Sequence, residues 1–130
     1  MKVIAVDYGS ARTGVAVSDP SGTIARPLGV VERAGGEAGL NRLVELIRAE
    51  EAERVVVGLP LTLRGERGAQ AQETETFVEA LRAAVDVPVE SFDERFTTRL
   101  AQTGDPGPDD ARAAAHLLSS YLEWSSAGRE

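Results

Sequence analysis

The chain has 130 residues and no cysteine, which excludes disulfide and thiolate chemistry and favours a reducing, cytoplasmic location. Its 21 acidic and 14 basic residues give a net charge of -7, which excludes nucleic-acid binding by bulk positive charge and leaves only a local basic surface for that role. We expect neither a membrane span nor a leader peptide. One domain is predicted over residues 1–124, with a frayed tail over residues 125–130.

The first part of the chain is predicted to form an antiparallel β-meander. Apolar strand patterns cover residues 2–8, 13–18 and about 23–31, and a strong turn sequence separates the second from the third. Pro27 in the third strand indicates a sheet edge or a bulge. From Gly36 onward, apolar residues recur at helical spacing, so a helix follows the meander.

Strands and helices alternate in the second part of the chain. A buried strand is predicted over residues 54–60, a loop to Gly68, a helix through residues 77–85 and a strand over residues 87–92. A short helix from Thr97 and a last helix from Pro108 to about Trp124 complete the chain. The order βββαβαβα, with strands and helices alternating in its second half, predicts a single α/β domain.

Asp7 is the most unusual residue of the first strand. It continues the apolar row of Val3 and Ala5, which is predicted to be buried. Because burying an unpaired carboxylate costs several kcal/mol, we expect a cationic partner, backbone donors or a metal ion beside Asp7. Gly9 and Gly14 predict a tight turn that leaves this carboxylate uncovered, with room for a large group to approach.

Three further acidic residues lie where an apolar side chain would be expected, at the end of a predicted strand or on the apolar face of a predicted helix. Asp93 and Glu94 follow the last strand, and Asp110 lies in line with the apolar face of the last helix. Because functional groups gather at strand ends in open α/β sheets, these carboxylates are expected to converge with Asp7. Their mutual repulsion calls for a cation, and Mg²⁺ or Mn²⁺ suits oxygen ligands and phosphodiester hydrolysis.

Each of these acids also has a structural interpretation. Asp110 near a helix start is typical of a capping residue, and the sequence Asp93-Glu94-Arg95 is also typical of a surface ion-pair cluster. Strand alternation places Asp93 and Glu94 on opposite faces, so only one of them points inward without a bulge. Glu94 is favoured, and Asp93 is kept as an alternative.

Four segments together resemble the YqgF family of Holliday junction resolvases, also called RuvX. They are residues 7–19, the sequence Val-Gly-Leu-Pro at 57–60, the sequence Asp-Glu-Arg-Phe-Thr-Thr at 93–98, and Asp110 with the helix after it. The resemblance implies a ribonuclease H-like fold with a mixed sheet, its antiparallel meander first and helices on both faces. It also implies a divalent-metal nuclease that acts on structured nucleic acid. It further implies 5′-end processing of 16S rRNA precursor, cleavage of Holliday junctions, or other endonuclease or exonuclease cleavage of DNA or RNA.

The resemblance also assigns residues. Carried over by position, the catalytic acids fall on Asp7, Asp93 or Glu94, and Asp110, and the metal ligands are Asp7, Glu94 and Asp110. Basic and hydroxyl side chains near these motifs suit phosphate contacts, although Thr97 and Thr98 also suit helix caps. The predicted nucleic-acid-binding residues are Arg12, Arg64, Arg67, Arg95, Thr97, Thr98 and Arg99.

Residues 102–109 depart from the family pattern, because this segment is short and acidic where the family has a lysine-bearing element. A nucleic-acid-binding ribosome-assembly protein with a vestigial site is therefore one alternative. A nucleotide-binding module is another, because Asp7-x-Gly with a later Asp19 also resembles the phosphate loop of sugar kinases and actin. A monomer and a homodimer are both compatible with the sequence.

Overall fold

The computed structural model describes residues 1–60, 68–93 and 110–128. The elements in chain order are β1 (Val3–Asp7), β2 (Arg12–Ser18), β3 (Ala25–Glu32), α1 (Glu37–Ala49), β4 (Arg54–Leu59), α2 (Ala69–Ala84), β5 (Val89–Asp93) and α3 (Asp110–Gly128). The predicted order βββαβαβα is confirmed. The predicted short helix from Thr97 lies outside the described residues, and α3 continues past Trp124, where the sequence placed its end.

The five strands form one mixed sheet in the order β3-β2-β1-β4-β5. Strands β1, β2 and β3 pair antiparallel, whereas β4 and β5 run parallel to β1. Both features expected from Pro27 are present, because β3 is an edge strand and its register with β2 shifts between Val15 and Ala16.

Strand β3 begins at Ala25, later than the predicted residue 23, because the preceding residues are held in the turn. The Asp19 carboxylate accepts hydrogen bonds from the backbone N–H groups of Thr23 at 2.7 Å and Ile24 at 2.9 Å. These bonds, the one from Ile24 foremost, and a bond from the Ser21 hydroxyl hold the pKa of Asp19 well below its usual range. The turn is therefore closed by side-chain bonds before β3 starts.

The sheet carries helices on both faces, as predicted. Helices α1 and α2 pack on the face formed by Ile4, Val6, Val55 and Val57, whereas α3 packs on the opposite face, formed by Val3, Ala5, Val56 and Phe92. Across the described ranges, no helix combines the length and the apolar character needed to cross a membrane.

Helix α3 is anchored at its far end by a polar contact with the sheet. The Arg54 Nη1 atom lies 2.6 Å from the Glu90 carboxylate and 3.2 Å from the Tyr121 hydroxyl. The hydrogen bond with Tyr121 and the charge of Glu90 raise the pKa of Arg54. The Tyr121 ring also meets Phe92 edge-on, with 5.6 Å between ring centroids. This contact fixes the position of α3, and therefore that of Asp110 at its start.

Candidate active site

The carboxyl ends of the parallel strands define the edge of the sheet at which the predicted acids lie. Asp7 ends β1 and Asp93 ends β5, and β4 lies between these two strands. Asp7 is half-buried and continues the row of Val3 and Ala5, which packs against α3. Its side chain therefore belongs to the face of the sheet that α3 covers.

The first residue of helix α3 packs directly against β2, the strand that pairs with β1 beside Asp7. Gly14 of β2 lies opposite Asp7 in the antiparallel ladder. A Cβ atom at Gly14 would lie 1.7 Å from the carbonyl oxygen of Asp110, so the two backbones are in direct contact. Two acids far apart in sequence, Asp7 and Asp110, are thus brought to neighbouring positions on one face. The predicted inward face of α3 is confirmed by the burial of Ala114, Leu117, Leu118 and Tyr121.

The two glycines near Asp7 have a different role from the one predicted. They were predicted to leave room for a large group, such as a phosphate backbone, and this prediction is wrong. The space beside Gly14 is occupied by the backbone of Asp110, and a Cβ atom at Gly9 would lie 2.4 Å from the carbonyl oxygen of Arg12. Both positions are packed so closely by the protein's own backbone that no side chain fits.

Thr13 holds the turn that follows Asp7, a role that the sequence alone did not reveal. Its hydroxyl accepts a hydrogen bond from the N–H group of Gly9 and donates one to the Gly9 carbonyl oxygen, each at 3.2 Å. The side chain is fully buried. These two bonds fasten the turn that follows Asp7. A hydroxyl at the end of the apolar row of Val15 and Val17 is the feature of the sequence that could have revealed it.

Arg12 forms an ion pair with one of the two acids. Its Nε atom lies 3.1 Å from the Asp110 carboxylate, and its side chain is 51% exposed. The Arg12 guanidinium therefore lies on the face shared by Asp7 and Asp110. Because the guanidinium is half in solvent, it is also accessible to a phosphate group. The other predicted nucleic-acid-binding residues, Arg64, Arg67, Arg95, Thr97, Thr98 and Arg99, lie outside the described residues.

Strand alternation separates Asp93 from the other two acids. Phe92 packs on the α3 face, whereas Val89 packs on the opposite face. Asp93 falls in the row of Val89, because the two residues are four apart in one strand. The structure therefore brings together Asp7 and Asp110 but places Asp93 in the row of the other face. Glu94, the favoured candidate, lies outside the described residues.

The donor chemistry of this edge fits a hard divalent cation. Asp7 and Asp110 offer only carboxylate oxygens, which Mg²⁺ and Mn²⁺ prefer over nitrogen or sulfur ligands. Within residues 1–60, 68–93 and 110–128, no three His, Cys, Asp or Glu side chains cluster closely enough to form a metal site. The third ligand of the predicted set would be Glu94, so the described part of the chain supplies two members of that set.

Comparisons with known proteins agree with this arrangement. The family model of RuvX, described as Holliday junction resolvase, matches residues 1–124. Two similar relatives share the provisional name pre-16S rRNA nuclease. The one from Desulforudis audaxviator is 40% identical over 139 residues and the one from Syntrophomonas wolfei is 34% identical over 140 residues. These alignments cover 99% and 100% of this chain, respectively, and 99% of each relative.

The overall fold has a counterpart among solved structures. RuvC from T. thermophilus, in complex with a Holliday junction substrate, superimposes with a TM-score of 0.66 at 19% sequence identity. The match covers 98% of this chain and 96% of that chain. The expected ribonuclease H-like fold is therefore confirmed. Together with the family model, which spans nearly all of the sequence, these alignments establish that the chain belongs to the RuvX family.

Proposed function

We propose that this chain is a divalent-metal-dependent nuclease that hydrolyses phosphodiester bonds in structured nucleic acid, with the precursor of 16S rRNA as its substrate. One observation carries the proposal. The contact between Gly14 and the Asp110 backbone brings two carboxylates, from the end of β1 and the start of α3, onto one face at the sheet edge. The names of the relatives support precursor rRNA as the substrate.

The proposed ligands of the metal are Asp7, Glu94 and Asp110. A bound Mg²⁺ or Mn²⁺ would lower the pKa of a coordinated water for attack on phosphorus and stabilise the departing oxygen. The turn after Asp7 is fastened by Thr13, so the first carboxylate is held before substrate arrives. Asp110 is held from two sides, by the close packing of its backbone on Gly14 and by its ion pair with Arg12.

Arg12 has a second role in this proposal. Its guanidinium offsets the negative charge of Asp110, 3.1 Å away. Because the guanidinium is half-exposed, it would also be able to bind an oxygen of the substrate phosphate. Phosphate binding is also proposed for Arg64, Arg67, Arg95, Thr97, Thr98 and Arg99 on the basis of their sequence motifs. A local surface of this kind is needed because the net charge of -7 opposes nucleic-acid binding at long range.

A cleavage assay with and without metal tests the proposed function. The protein is incubated with labelled precursor 16S rRNA, a four-way DNA junction and single-stranded RNA in Mg²⁺, in Mn²⁺ or in chelator. We expect cleavage of the precursor rRNA in either metal and none in chelator, because without the cation no water at this site is activated for attack on phosphorus. Cleavage that persists in chelator contradicts the metal-dependent site. Binding without cleavage in any metal supports the ribosome-assembly alternative, and ATP hydrolysis without nucleic-acid cleavage supports the nucleotide-binding alternative.

The choice between Glu94 and Asp93 has its own test. Glu94→Gln is expected to lower the cleavage rate at least about 100-fold, because it removes a proposed ligand of the metal. Loss of a residue that only orients a metal ligand already lowers metal affinity or activity about 10–100-fold. Asp93→Asn is expected to lower it less than about threefold, because Asp93 falls in the row of the opposite face. The reverse ranking, measured at saturating Mn²⁺, would assign the ligand role to Asp93 and imply a bulge at the end of β5.

A further inference from the structure

A second feature lies at the same edge of the sheet, on the face opposite Asp7. Tyr8 follows Asp7 directly and packs against the core on the side of α1 and α2. Its ring stacks on Phe77 of α2, with 4.3 Å between centroids and 19° between planes. A cleft of about 220 Å³ opens beside this pair, between α2 and the turn that precedes α1. The cleft thus begins one residue from a proposed metal ligand.

The walls of this cleft combine flat apolar surface with one acid. Tyr8, Phe77 and Leu40 supply the apolar surface, and the backbone at Gly35 closes one side. Glu73 is exposed on α2, and its Oε2 atom lies 3.5 Å from the Tyr8 hydroxyl. At that distance the hydrogen bond is weak, so the carboxylate keeps most of its capacity to accept other donors. Desolvation and the charge of Glu73 raise the pKa of Tyr8, so its phenol stays protonated.

The charge of the cleft decides which part of a nucleic acid suits it. Among the residues that the structure describes, no lysine or arginine lines it, and Glu73 is an anion, so these residues would repel a phosphate group. A volume of about 220 Å³ is below the range of roughly 300–1,000 Å³ that is usual for drug-sized ligands. A planar ring system with hydrogen-bond donors on its edge fits the volume, the aromatic surface and the carboxylate. Nucleobases of unpaired nucleotides are bound by proteins in this way.

We propose that this cleft binds the base of a nucleotide next to the scissile phosphate, and that Glu73 selects guanine. This inference rests on the proposed nuclease function, because it places the phosphate at Asp7 and the base beside Tyr8. Asp7 and Tyr8 are neighbours at the end of a β-strand, so their side chains project to opposite faces of the sheet. A nucleic-acid strand that crosses this edge of the sheet can therefore present its phosphate to one face and its base to the other. Guanine is favoured because its Watson–Crick edge alone carries two adjacent donors, N1–H and N2–H, which a carboxylate accepts as a pair.

The substrate for the test is single-stranded RNA with one fixed position next to the cleavage site. Cleavage sites are first mapped on RNA of randomised sequence, and guanine is expected to be enriched at one fixed position. Oligonucleotides with guanine, inosine or adenine at that position are then compared. Inosine lacks the N2 amine, and a hydrogen bond to a charged group is worth roughly tenfold or more, so we expect guanine to exceed inosine about tenfold in cleavage efficiency.

Two variants of equal charge change make the test specific. Glu73→Gln is expected to reduce the guanine-to-inosine ratio below about twofold while the adenine RNA is cleaved as before. Glu45→Gln, on an exposed position of α1, is expected to keep the full ratio. A role of Glu73 in packing alone would change all three RNAs equally, so an unchanged ratio in Glu73→Gln overturns the inference.

A binding measurement separates failure of this inference from failure of the proposed function. Affinity for the same oligonucleotides is measured by fluorescence anisotropy in chelator, where no cleavage occurs. A guanine preference that Glu73→Gln removes supports the base-binding cleft even if no RNA is cut, in which case the nuclease proposal fails alone. Cleavage without any base preference leaves the nuclease proposal intact and overturns the cleft.

Discussion

Asp7→Asn is expected to lower the rate of metal-dependent cleavage at least about 100-fold while leaving the protein folded. The change keeps the size and shape of the side chain but removes its charge, and a neutral amide is a poor ligand for Mg²⁺ or Mn²⁺. Loss of a group that only orients a metal ligand already costs about 10–100-fold, so loss of a direct ligand should cost at least as much. Single-turnover cleavage of precursor rRNA at saturating Mn²⁺ measures the effect.

The matched control is Asp86→Asn, which removes one negative charge from an exposed residue between α2 and β5, away from the sheet edge of Asp7. We expect it to cleave at the rate of the unmodified protein. Circular dichroism and the midpoint of urea unfolding establish that both variants are folded. Affinity for RNA in chelator should change less than about threefold in Asp7→Asn, because Asp7 acts through the metal. Wild-type cleavage by folded Asp7→Asn contradicts the proposed site.

The element order was predictable because each segment carries a clear apolar period. The β-branched run of β4 and the helical spacing of α1 identify buried elements without any tertiary information. The start of β3 was less predictable, since the hydrogen bonds from Thr23 and Ile24 to the Asp19 carboxylate become visible only in three dimensions. Boundaries depend on such side-chain bonds, whereas the existence of an element depends on its period.

The face on which each acid lies was also predictable, because it follows from alternation in strands and from the 3.6-residue period in helices. Asp7 and Asp110 were placed inward on that basis, and the structure brings both to the α3 face. The partners of these residues were not predictable. The ion pair of Arg12 with Asp110, the bonds of Thr13 to Gly9 and the cleft beside Tyr8 all join segments whose approach depends on the complete fold.

Gly14 shows most clearly how the fold changes the interpretation of a residue. A glycine after a strand-end acid suggested open space for a ligand, yet the structure fills that space with the first turn of α3. Gly14→Ala is therefore expected to destabilise the protein by about 3 kcal/mol, because overpacking against backbone atoms that cannot rotate away costs about 1–3 kcal/mol and occasionally more. The methyl group would lie 1.7 Å from the Asp110 carbonyl oxygen unless α3 moved.

Displacement of α3 would also move Asp110 away from Asp7, so we expect Gly14→Ala to lower cleavage at least about 10-fold under conditions where it is fully folded. Gly29→Ala in β3 is the control, because a Cβ atom there meets nothing within 4 Å. Alanine restricts the unfolded chain, so this variant should be neutral or more stable by about 0.4–1 kcal/mol. Urea unfolding of both variants measures the difference. Equal stability and equal activity would mean that α3 does not rest on Gly14, and the convergence of the two acids would lose its structural basis.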